Sequence, residues 1–374
     1  MKLKILPKQR GASLGIFLRK TGMVLLLGLL AACAGTLDNK TGTAEAILWP
    51  SPPDLPRFAY ETTLRSAADI AVESEDTILR RQLTGETQNR APAFSKPYGV
   101  AARNGRIYIT DSVMRNVTVF DVPRHKVFYI GVQTPGKLIK PSGIALDKEM
   151  NVYVSDVSGQ NVNVYDSLGL FLRSIGDKAD LVRPTGVAVS PSGDRIYVID
   201  RSYNEMASHR VVVYDNTGRK LFVIGERGGK AGQFNVPVQG AVAPDGTLYV
   251  LDAGNFRVQA FDRDGKFLRT WGNAGNNIGD FARPRGIAVD DEGNVYVTDA
   301  TFANVQLFNP QGQLLLIVGT QGEEDKPGRY NLPGGVAVDE TGRMYVVDQF
   351  FRKVEVIRRV PKEEGERMLE SATH

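Results

Sequence analysis

Cysteine occurs once in 374 residues, at position 33, so no internal disulfide can brace this chain. Histidine occurs three times, as His125, His209 and His374. Imidazoles so few and so scattered make a poor zinc site. A single cysteine also excludes a Cys-x-x-Cys-His haem attachment, and no Ser-His-Asp arrangement can be assigned. Long apolar runs are missing as well. The longest, residues 23–32, is about half of what a stable transmembrane helix needs.

That run has a definite setting. Lys2, Lys4, Lys8, Arg10, Arg19 and Lys20 precede it and small residues follow, which is the layout of a secretory signal. Leu30-Ala31-Ala32-Cys33 resembles the lipobox of bacterial lipoproteins, in which the thiol is alkylated by diacylglycerol and becomes the new N-terminus. The resemblance implies that residues 1–32 are a signal peptide and that Cys33 carries a covalent lipid, with no other cofactor expected. Ala34 stands where an aspartate tends to retain such proteins at the inner membrane. The expected address is therefore the outer membrane, facing periplasm or exterior.

Removal of the signal changes the charge. The whole chain is +4, from 46 basic and 42 acidic residues; loss of six basic and no acidic residues leaves 40 against 42, or −2. Nucleic-acid binding loses its compositional argument.

Residues 33–56 are rich in Gly, Thr and Pro without apolar periodicity, and read as a flexible tether. Beyond them the chain repeats. Six units start at Pro97, Pro141, Pro184, Pro237, Pro284 and Pro333, spaced by 44, 43, 53, 47 and 49 residues. Each carries a second strand ending in aspartate, as in Ile107-Tyr108-Ile109-Thr110-Asp111 and Val295-Tyr296-Val297-Thr298-Asp299. Third and fourth β-branched or aromatic runs follow in most units, separated by turn residues. Four strands per repeat of this length predict β-propeller blades. The expected fold is all-β, a six-bladed propeller over residues 57–358, with a charged tail at 359–374. The last unit lacks a fourth strand, and the unpaired strand-like run at residues 57–63 is expected to close it. Gly99, Gly143, Gly186, Gly286 and Gly335 recur in the first strands, as crowding at the axis requires. The fourth unit departs from this, with Gln239 in the glycine position.

The pattern Gly-x-Phe ahead of the proline, then Tyr-Val-x-Asp and Asn-x-Arg-Val-x-x-Phe, is similar to the NHL repeat. Here it reads Gly232-Gln233-Phe234 before Pro237, then Tyr249, Asp252, Asn255 and Arg257 through Phe261. Gly279-Asp280-Phe281 and Gly328-Arg329-Tyr330 repeat the lead-in. The resemblance implies an NHL-type propeller. It also admits several functions, because such propellers serve as binding platforms, sensor domains and a few lyases.

The six aspartates from Asp111 to Asp348 sit at one place in every unit, where a carboxylate accepts turn amides, so a metal ring is not expected. The recurrent tyrosines read as blade packing. Lactonase-like propellers hold calcium with Glu, Asp and Asn at the axis, whereas the axial strands here offer Gly, Val and Ala.

What remains is a binding face. Lys96, Lys140, Arg183 and Arg283 precede four of the six prolines, and Tyr98 and Arg285 are among the variable residues that follow them. Two insertions are expected on that side: the loop at 201–210, with Tyr203 and His209, and residues 66–96, with a short helix at 74–83. Gln239 completes the candidate set. The expectation is a non-enzymatic interaction scaffold of the cell envelope that docks an anionic or acidic protein partner. The family likeness makes a role beside exported multihaem cytochromes or envelope assembly plausible. The alternative is a metal-dependent propeller lyase or lactonase.

Overall fold

A computed structural model describes residues 46–72, 75–85, 91–202 and 209–372. Cys33, the signal segment, Tyr203 and His374 lie outside the described residues. From Pro97 onward the chain lays down antiparallel sheets in sequence order, each starting at a repeat proline. Blade 1 comprises Pro97–Arg103, Arg106–Asp111, Asn116–Asp121 and Lys126–Ile130. Blades 2 to 5 repeat it from Pro141–Leu146, Pro184–Val189, Pro237–Val242 and Pro284–Val289. Each innermost strand packs beside that of the next blade, and Pro333–Val338 of blade 6 returns to Pro97–Arg103, so the ring closes.

The missing strand of blade 6 comes from the other end of the propeller sequence. Phe58–Leu64 pairs antiparallel with Lys353–Arg359, from Phe58 opposite Arg359 to Leu64 opposite Val354. Phe58, Ala59 and Leu64 are buried by this union. A fifth strand, Leu48–Trp49, adds outside it within the segment expected to be tether. The expected charged tail also differs, because Lys362–Ala372 is a helix tied back by the Arg358–Glu364 ion pair at 2.5 Å.

Glycine at the axis has the predicted cause. A Cβ on Gly143 would lie 2.7 Å from Gly186 Cα, and one on Gly335 would lie 2.6 Å from Tyr98 O. No side chain fits there. Hydrophobic clusters between neighbouring blades supply the rest of the core, and the second-strand tyrosines belong to them at 0–3% exposure. They are packing residues, as their recurrence suggested. Tyr296 and Tyr345 donate their hydroxyls to Asp290 and Asp339, at 3.0 and 2.7 Å.

Because strands alternate in direction, all six repeat prolines and all six second-strand aspartates lie at one end of the ring. The turns between first and second strands lie at the other.

Candidate binding site

The aspartates build the proline end. Asp111 accepts amides from Ser95 and Lys96, ahead of the innermost strand, and from Val113 and Met114, after the second. Asp156 and Asp299 do the same for Ile139, Lys140, Ser158 and Gly159, and for Ala282, Arg283, Thr301 and Phe302. These carboxylates are buried and occupied by amides that would otherwise be orphaned. Among the described residues, no three His, Cys, Asp or Glu side chains gather as a metal site.

This clamp fixes the residue before each proline beside the residue after each aspartate. The amides of Ser112, Val157, Arg201 and Ala300 donate to the carbonyls of Lys96, Lys140, Arg183 and Arg283, at 2.9–3.3 Å. The side chains of all these residues except Ala300 surround a cavity of about 670 Å³ centred on the axis. Lys96, Lys140, Arg183, Arg201, Arg283 and Arg285 line it, and among the described residues no carboxylate does. Lys96, Lys140 and Arg283 are exposed at the rim, whereas Arg183, Arg201 and Arg285 are partly buried below them. Arg285 lies over the ring of Tyr98, its guanidinium carbon 5.2 Å from the centroid, a cation–π contact that orients the fork. Blade 4 supplies an apolar wall of Val236, Val238 and Ala253 between the arginines of blades 3 and 5.

Arg201 holds the least favourable position. Burial pushes its guanidinium below its ordinary value, and the neighbouring charge of Arg183 pushes it the same way. Like charges repel, and partial removal from water strengthens the effect.

Six of the expected site residues thus meet in one cavity: Lys96, Tyr98, Lys140, Arg183, Arg283 and Arg285. Two others do not. His209 is 1% exposed, paired opposite Arg201 at the start of its strand. Its imidazole is held below its ordinary value by burial and by Arg227 and Arg201. It offers no surface to a partner. Gln239 leaves the face altogether: its side chain reaches the axis between Gly143 and Gly186 and lines a separate cavity of about 270 Å³ at the opposite end. A longer residue at a glycine position has nowhere to go but along the channel.

The excursion at 66–96 also departs from expectation. Its helix, Glu75–Thr84, forms within a residue of the expected span. The segment ahead of it runs down the side of the ring, where Ile70 O meets His125 Nδ1 at 2.8 Å, at the end away from the cavity. Ile70, Ala93 and Phe94 pack between blades 6 and 1, so burial draws this segment off the face. Ser142 and Thr185, two of the variable residues that follow the repeat prolines, also line the cavity, as do Arg201, which opens the 201–210 insertion, and Gln349, which the repeat pattern does not mark. Arg201 was legible as the one cation directly following a recurrent aspartate.

The NHL repeat family matches residues 281–307. Solved structures similar in fold include a protein of unknown function from Bacteroides thetaiotaomicron, 18% identical, with a TM-score of 0.56 over 72% of this chain and 71% of that one. A gluconolactonase from Xanthomonas campestris is 18% identical, with a TM-score of 0.54 over 71% and 87%. A streptogramin B lyase is 13% identical, with a TM-score of 0.53 over 74% and 97%. At these identities the likeness is one of fold.

Proposed function

Starting from a six-bladed β-propeller that carries an NHL repeat, we propose that this protein is a non-enzymatic binding platform of the cell envelope. It is held at the outer membrane by lipid on Cys33 and captures an acidic protein partner on its proline end. The observation that carries this reading is the cavity whose described lining holds six cationic side chains and no carboxylate. Charge of one sign gathered in a concavity steers and orients an oppositely charged partner. The lactonase and the lyase share the fold, but a propeller places no chemistry by itself.

The test is capture from cell envelopes by the tagged full chain, with crosslinking and identification of what is held. Lys140→Glu combined with Arg183→Glu should abolish capture of an acidic partner. Raising salt from about 50 to about 500 mM should weaken it in the unaltered protein, because the rim charges are screened over about a Debye length. Capture that survives both charge reversal and salt would defeat the reading.

A further inference from the structure

The cavity has features that a flat acidic partner would not require. It is a bowl of about 670 Å³, within the range of small-molecule sites. Its cations are not spread evenly. Arg183 and Arg201 come from blade 3 and Arg283 and Arg285 from blade 5, and the apolar wall of blade 4 lies between the two pairs. Lys96 and Lys140 close the remaining side from blades 1 and 2.

The chemistry of the two side chains differs. Arginine presents a planar fork matched to carboxylate or phosphate oxygens, whereas lysine adds a mobile point charge. Among the described residues, Lys96, Lys140, Arg201, Arg283 and Arg285 make no ion pair, because the nearby recurrent aspartates are engaged by amides and by other arginines. The Arg201 amide donates to the carbonyl of Arg183, the residue ahead of the innermost strand, at 3.2 Å, which places the two residues side by side. An anion seated beside Arg201 would replace the hydration that burial removes.

We propose that the bowl binds a small polyanion with at least two carboxylate or phosphate groups on a compact carbon or phosphorus framework. Its anionic groups are held by Arg201 of blade 3 and by Arg283 and Arg285 of blade 5, and its body rests on Val236 and Val238. This deepens the platform reading and rests on the same cationic face. The ligand is either free or the exposed anionic group of a larger partner, and both present the same chemistry to the bowl.

Isothermal titration calorimetry of the full chain with citrate, pyrophosphate and acetate tests it. One of the two polyanions should bind saturably at one per chain, about tenfold or more tighter than acetate. Citrate ahead of pyrophosphate identifies carboxylate as the preferred group, and the reverse order identifies phosphate. Arg201→Gln should weaken the preferred ligand about tenfold or more. The same variant should leave the ligand-free unfolding midpoint unchanged or raised, since it removes a like-charge contact. Asp291→Asn, beside the cavity at the opposite end, should leave affinity unchanged.

Neither polyanion binding better than acetate, or binding indifferent to Arg201→Gln, would overturn the proposal. If the polyanions fail while Lys140→Glu with Arg183→Glu still abolishes partner capture, the bowl is wrong and the platform stands. If citrate or pyrophosphate binds as described while capture ignores charge reversal, the platform is wrong and the bowl stands.

Discussion

A single carboxylate can be worth more to this fold than any single cation. Asp299 is fully buried and accepts four amides, two from the lead-in to blade 5 and two from the turn after its second strand. Replacement by alanine strands these donors, and the cost expected is about 3 kcal/mol or more, since each buried unsatisfied donor costs about 1–3 kcal/mol. Urea denaturation of Asp299→Ala measures it. A loss under about 1 kcal/mol would mean that water reaches the amides and that the clamp is not structural. This role was legible in the sequence, because the aspartate recurs at one place in six repeats where a ligand would need it in only some. The fates of His209 and Gln239 were not. A strand's two faces read alike when both are buried, and Gln239 departs from a glycine whose direction depends on how close the neighbouring blades approach.

Strands paired across a turn announce themselves through alternation and turn residues, and the six repeats were visible for that reason. The closing strand follows from an unpaired run and a blade short of one strand, and Phe58–Leu64 fills that place. Leu48–Trp49 was not legible, because a two-residue strand is specified by the edge it meets and hardly at all by its own pattern. The helix at Lys362–Ala372 was hidden in a similar way. Its charged sequence resembles a solvated tail until Gly365 is seen to pack on Pro56, where a Cβ would lie 2.8 Å from the carbonyl oxygen. Closure carries a measurable consequence. Deleting residues 46–64 exposes the edge of Lys353–Arg359 and the faces that Phe58 and Leu64 cover, each worth about 1.5–3 kcal/mol. The shortened protein should unfold at lower temperature and elute as higher oligomers on size exclusion, because an open β-edge seeks another strand. A monomer with an unchanged midpoint would show that the ring does not depend on this closure.

At the scale of the molecule the two ends of the axis differ in charge. The proline end gathers six cations around its cavity, whereas Asp290, Asp291, Asp339 and Glu340 border the other, with Arg103 as the cation among them. A ring polarised in this way meets an anionic partner in one orientation. Lipid on Cys33 would add a second, independent constraint, because attachment to a surface raises the local concentration of the bowl without altering its contacts. The two contributions are therefore separable by mutation. Cys33→Ser should move the protein from the membrane to the soluble fraction, while its affinity for citrate or pyrophosphate in solution stays that of the unaltered chain. Lys140→Glu with Arg183→Glu should do the reverse, remaining on the membrane and losing its partner. Fractionation and calorimetry on the same four proteins, including the combination, read both effects. If Cys33→Ser stayed membrane-bound, the lipid would not be the anchor; if it also lost polyanion affinity, the anchor and the bowl would be one device, and the tether would have to be part of the site.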